Sequence, residues 1–129
     1  MVHTTKIPEA SRKESMKNCL VVLGMHRSGT SAFTGILDLL GIYLGTKMLE
    51  TQPDNPKGFF ENKYIVQAND CILETLNRSW DDPFPLPPNW LERFEGSQLL
   101  VDIRNFLRAD IIENQLSALK DPRLSRLLP

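Results

Sequence analysis

The chain has 129 residues, 41% of them hydrophobic, 24% charged and 8% aromatic. This mixture excludes collagen-like, disulfide-framework and wholly disordered classes, and the length suits one domain at most. Fifteen Lys and Arg stand against sixteen Asp and Glu, a formal net charge of -1, so no global field calls for nucleic acid or an anionic membrane and any anion site has to be local.

Residues 1–18 mix charges (His3, Lys6, Glu9, Arg12, Lys13, Glu14, Lys17) without the apolar core of a signal peptide. They read as a disordered leader ahead of a folded region at 19–129. No apolar run approaches the roughly 20 residues of a membrane span, so no integral membrane segment is expected. Cys19 and Cys71 each lie in an apolar run. They are expected to be buried reduced thiols in a cytoplasmic protein.

Cys19-Leu20-Val21-Val22-Leu23 is apolar on both faces, the pattern of a central strand in a parallel sheet. After Gly24–Ser31, the residues Phe33, Ile36, Leu37 and Leu40 recur at helical spacing, and Gly41 fits a C-terminal stop. Residues 42–60 carry turn residues, among them Pro53, Asn55, Pro56 and Gly58. A second helix is predicted from about Glu61 to Leu76, with Ile65, Ala68, Ile72, Leu73 and Leu76 on one face. Four prolines between Asp81 and Pro88 exclude regular helix there. Ser97 fits the N-cap of a third helix running through Leu100, Ile103, Phe106, Leu107 and Ile111. Leu116–Leu119 reads as a strand, Lys120–Arg123 as a turn, and Pro122 fits the start of a short helix. Alternation of strand and helix gives an α/β class with a parallel sheet.

Gly24-Met25-His26-Arg27-Ser28-Gly29-Thr30-Ser31 has the spacing of a phosphate-binding loop. Glycine lets backbone N–H groups turn inward without a Cβ in the way, and a helix starting there offers unpaired donors and a positive dipole end. Ser28, Thr30 and Ser31 add hydroxyls, and Arg27 adds a charge able to grip two oxygens. Nucleotide-hydrolysing loops of the form G-x-x-x-x-G-K-[ST] place Lys after the second glycine; here that residue is Thr30 and the charge stands earlier, at Arg27. A metal-using enzyme also needs an Asp near a neighbouring strand end; Asp121 is the local candidate, and Pro122 makes the match poor.

Gly24–Ser31 resembles the 5′-phosphosulfate loop of sulfotransferases that use 3′-phosphoadenosine-5′-phosphosulfate (PAPS). Asn55-Pro56-Lys57-Gly58-Phe59-Phe60-Glu61-Asn62 and Leu119-Lys120-Asp121-Pro122-Arg123 resemble further blocks of the bacterial, carbohydrate-sulfotransferase-like members, in the same order. The resemblance covers residues 19–129. It implies a P-loop NTPase-like parallel sheet flanked by helices and transfer of a sulfuryl group from PAPS to a hydroxyl or amine, without metal. His26, Arg27, Ser28, Gly29, Thr30, Ser31, Lys120 and Arg123 are then the nucleotide-binding candidates, with Arg27 at the leaving-group oxygens. Such enzymes use a His or a Glu as base. Glu61 is the candidate for that role, against the alternative that it complements its own helix dipole. For Lys57 solvent is the expected surrounding. Trp80, Phe84 and Trp90 are read as cover for the core more than as an acceptor wall.

The family also holds the 3′-phosphate with an Arg and a Ser that follow the Lys-Asp-Pro-Arg block, and nothing in 1–129 matches them. The chain is therefore expected to be an N-terminal portion, incomplete at the C-terminus, poorly stable and inactive alone. Two rival readings are a P-loop kinase or NTPase, which requires magnesium and ATP, and a non-catalytic nucleotide-binding module.

Overall fold

A computed structural model describes residues 18–113 and 116–128. The expected leader at 1–17 lies outside the described residues, whereas Asn18, assigned to it from sequence, opens the first strand. The elements are β1 (Asn18–Val22), α1 (Thr30–Leu39), α2 (Lys63–Thr75), a 3-10 turn (Trp90–Phe94), α3 (Gln98–Phe106), β2 (Leu116–Lys120) and α4 (Leu124–Leu127). The fold is mixed α/β, a two-stranded parallel sheet flanked by helices. No helix among the described residues is long and apolar enough to cross a membrane.

β1 and β2 pair in parallel from Asn18↔Leu116 to Val22↔Lys120. Tyr43 extends the ladder on the other edge of β2, donating its N–H to the Leu116 carbonyl (3.2 Å) and accepting from the Ala118 N–H (2.8 Å). β2 is thus the middle of the arrangement and is buried from Ser117 to Lys120. β1 departs from its expected central place. No described residue pairs with its outer edge, and Leu20 and Val21 remain 43% and 50% exposed.

α1 has the expected span, and Gly41 ends it as the glycine pattern requires. With φ 81°, Gly41 donates to the Asp38 carbonyl (2.9 Å), and Ile42 donates to that of Leu37 (3.0 Å). That pair of bonds satisfies two terminal carbonyls and needs a left-handed residue at Gly41. Leu37 then packs with Val22, Leu44 and Ala118, joined by Ile42, Met48 and Phe60, in a core between α1 and the sheet. Phe33, Ile36 and Leu40 stay exposed, so only part of the expected apolar face is covered.

α2 begins at Lys63, two residues later than Glu61. The reason is local: the Asn62 side chain accepts from the N–H groups of Tyr64 (3.0 Å) and Ile65 (3.3 Å), satisfying two first-turn donors. Its predicted face is buried, and Ile72, Leu73 and Leu76 join Phe94 and Leu127 in a second core. Each such side chain contributes about 1.5–3 kcal/mol when fully buried. Trp90 packs on this cluster as expected, while Trp80 and Phe84 are exposed and cover no core.

The third helix starts at its Ser97 cap but does not stay α-helical to Ile111. It widens into π-helical turns over Leu107–Ile112. The wider stretch sets Asp110 and Ile111 against Gly45, where a Cβ would stand 2.8 Å from Ile111 Cδ1 and 3.0 Å from Asp110 Oδ2. Both cysteines are free thiols, but neither is buried: Cys19 is half-buried on the edge strand and Cys71 is exposed on α2.

Candidate functional site

Between β1 and α1 the chain makes a tight loop whose shape depends on Gly24. A Cβ there would meet Thr30 Cγ2 at 2.5 Å and Ser28 Oγ at 2.9 Å. Ser28 closes the turn by donating both its N–H (3.2 Å) and its hydroxyl (2.6 Å) to the Met25 carbonyl. That hydroxyl proton is therefore engaged within the loop. Arg27 (φ 61°) and Gly29 (φ 86°) are both left-handed, which turns the chain back before the helix. The first helical bond runs from the Phe33 N–H to the Gly29 carbonyl (3.1 Å), and the N–H groups from Gly29 to Ala32 have no acceptor among the described residues. Donors of this kind at a helix start form an anion cradle. Arg27 is exposed at the loop tip, with no partner among the described residues.

Alternation along β2 brings in the second charge. The face that puts Ala118 in the α1 core also puts Lys120 beneath the first turn of that helix. Buried Lys120 donates to Ser31 Oγ (3.1 Å), to the Phe59 carbonyl (3.1 Å) and to Glu61 Oε1 in a short ion pair. The Ser31 hydroxyl also donates to the Phe59 carbonyl (3.3 Å).

Glu61 reaches this place through a constrained approach. Asn55 and Gly58 close the Asn-Pro-Lys-Gly turn (Gly58 N–H to Asn55 carbonyl 3.1 Å, Asn55 Nδ2 to Gly58 carbonyl 2.9 Å), leaving Lys57 in solvent as expected. Phe60, at φ 56°, then lays its ring on α1 at Gly35, where a Cβ would come within 3.1 Å of Cζ. Gly35 is costly in a helix interior, and this close approach is what it permits. Glu61 stands ahead of the Asn62 cap, so it belongs to an ion-pair network and not to the first turn of α2. Burial pushes its carboxyl above the usual range, against the opposing pull of Lys120.

Arg123 lies in the turn after β2. Its guanidinium meets Asp70 Oδ1 (2.5 Å) and Asp121 Oδ1 (3.0 Å) and lies 3.7 Å from Glu61 Oε2. Asp121 is fully buried and also accepts from Asn69 Nδ2 (2.8 Å) and the Arg123 N–H (3.1 Å). Three donors thus occupy the one carboxylate weighed as a metal ligand.

His26 packs its ring against Trp80, centroids 4.1 Å apart, and its Nδ1 is buried without a hydrogen-bond partner among the described residues. Burial, and then the positive charge of Arg123, hold its pKa below the ordinary value. Arg126 secures the segment that carries Trp80. Its guanidinium donates to the carbonyls of Ser79, Asp82 (2.7 Å) and Phe84 (2.5 Å). Its neighbour Ser125 accepts the Gly24 N–H (3.0 Å), so α4 braces both the loop and the proline segment.

The structure therefore gathers Ser31, Glu61, Lys120 and Arg123 beside the loop, and His26 faces Trp80, while Arg27 stands apart at the tip. Sequence reasoning missed Asp70 and Ser125 as supports of this site, and no local pattern marks either. Comparison with protein-family models, with curated proteins and with solved structures finds no match for this chain.

Proposed function

We propose that this protein is a sulfotransferase whose loop from Gly24 to Ser31 binds the 5′-phosphosulfate of PAPS, with a hydroxyl or amine, carbohydrates included, as acceptor. The observation that carries the reading is the hydrogen bond from Lys120 Nζ to Ser31 Oγ at the first turn of α1. It supplies from β2 the lysine that the loop lacks at Thr30. The residues suit the nucleotide: unpaired N–H groups at the helix start and the exposed Arg27 offer contacts to anionic oxygens.

PAPS, when bound, supplies the sulfuryl group and departs as the bisphosphate. Within the chain, Thr30, Ser31 and the N–H groups of the cradle hold the 5′-phosphate, helped by Lys120. Arg27 stabilises the charge that develops at the leaving oxygen, where a preorganised cation acts most strongly. Arg123 contributes positive field while fastened to Asp70 and Asp121. Glu61, kept in reach of the loop by Lys120, takes the proton of the acceptor. Asp121 is already committed to Asn69 and Arg123, which favours this reading over a magnesium-dependent kinase or NTPase.

Transfer of labelled sulfate from PAPS tests the assignment in the protein that carries this domain. Glu61→Gln is expected to lower turnover by about 100-fold or more, the contribution of a general base, while nucleotide binding is kept or tightened, by about tenfold at most. Lys120 retains Ser31 Oγ and the Phe59 carbonyl in that variant. Near-normal turnover would remove Glu61 from the base role.

A further inference from the structure

Lys120 has three N–H donors, and all three are in use, on Ser31 Oγ, the Phe59 carbonyl and Glu61 Oε1. Ser31 opens the anion cradle, while Glu61 lies on its other side, so a single buried ammonium joins the two. The Ser31 hydroxyl already gives its proton to the Phe59 carbonyl, so an anion that engages Lys120 at this turn takes one of those donors and a share of the one charge. Whichever bond yields, Glu61 is left less neutralised and faces a second negative charge in a buried setting, where such effects are strong. The charged groups around Glu61 are Lys120 from β2 and Asp121 and Arg123 from the following turn. Arg123 is held by Asp70 and Asp121 and is not free to replace the lysine.

We propose that Lys120 is a positioning residue that couples the two halves of the site: an anion seated on the loop draws the ammonium from Glu61, so loop occupancy makes that carboxylate a stronger base. The inference rests on the loop being an anion site, as proposed above, and adds a regulation to it. Anion binding itself changes no covalent bond: Glu61 stays a carboxylate, available for the acceptor's proton, and Lys120 remains an ammonium throughout. A base that strengthens when the donor arrives is idle in the empty site and closer to the working pH in the occupied one.

Carbon NMR of the protein labelled at its Glu carboxyls, with Glu61 assigned by Glu61→Gln, tests this with inorganic sulfate as the anion. Sodium chloride at equal ionic strength is the reference. The Glu61 titration midpoint is expected to rise by about one pH unit in saturating sulfate, within the range of nearby-charge effects. In Lys120→Met the midpoint is expected to be high from the start and to respond far less to sulfate. Lys120→Gln serves the same purpose if the Met variant does not fold.

An unchanged midpoint, with sulfate shifting the Gly29 and Ser31 amide resonances, would overturn the coupling and leave the loop reading intact. A full sulfate response in the lysine variants would overturn the role of Lys120. Absence of any sulfate effect on the loop amides would overturn the anion site itself, and the coupling with it.

Discussion

At the residue scale, two glycines of the loop do different work. A methyl group at Gly24 would stand 2.5 Å from Thr30 Cγ2, whereas nothing lies within 4 Å of the same position at Gly29. Gly24→Ala is expected to cost about 3 kcal/mol, from overlap and strain together. Gly29→Ala is expected to cost about 1–2 kcal/mol, from its left-handed backbone alone. Urea unfolding of the two variants checks the order; equal losses would contradict the packing of Thr30 on Gly24. His26 gives a pH dependence. Its folded pKa lies below the ordinary value, so the unfolded chain binds the proton more readily. Stability from this group is complete above about pH 6.5 and declines as pH falls through that value toward the folded pKa. His26→Phe, which keeps a ring against Trp80, is expected to lose less melting temperature than the parent between about pH 7.5 and pH 5. Identical slopes would remove His26 as the source. The opposite trend from the raised Glu61 is common to both proteins and cancels in the comparison.

At the scale of elements, what was legible in sequence was local. The span of α1 and its stop at Gly41, the Ser97 cap and the β2 strand all follow from contacts within a few residues. The start of α2 moved because Asn62 caps better than Glu61, and the cap can be tested. Asn62→Ala removes the acceptor for Tyr64 and Ile65 and is expected to cost about 1–2 kcal/mol in thermal or chemical unfolding. A loss below about 0.3 kcal/mol would mean that the cap is dispensable. The π-helical stretch was not legible, because it goes with a tertiary fit of Asp110 and Ile111 to Gly45, 65 and 66 positions earlier in the chain. Neither was the edge position of β1, since an apolar run states what a strand is able to bury and not which neighbours it finds.

At the scale of the whole molecule, the candidate site is a meeting of distant segments. The phosphate-binding reading of the loop rests on glycine spacing and Arg27, which lie within eight residues of sequence. The ion pair of Lys120 with Glu61 joins residues 59 positions apart, and no spacing rule reaches that far. Each partner was a candidate separately, and the sheet register brought them together: Val22↔Lys120 places the end of β2 beside the start of the loop. The same sheet leaves Leu20, Leu23 and Phe33 around an open cleft of about 430 Å3 on the outer side of β1. The start of α1 borders that cleft through Gly29 and Thr30. Calorimetric titration of a full-length protein carrying this domain with adenosine 3′,5′-bisphosphate in a metal chelator, beside magnesium ATP, measures most directly whether the loop serves a PAPS-type nucleotide. The expected result is metal-independent binding of the bisphosphate, weakened by roughly tenfold or more in Arg27→Ala, the loss of one charge-assisted contact; binding of magnesium ATP alone, or bisphosphate affinity indifferent to Arg27, would contradict it.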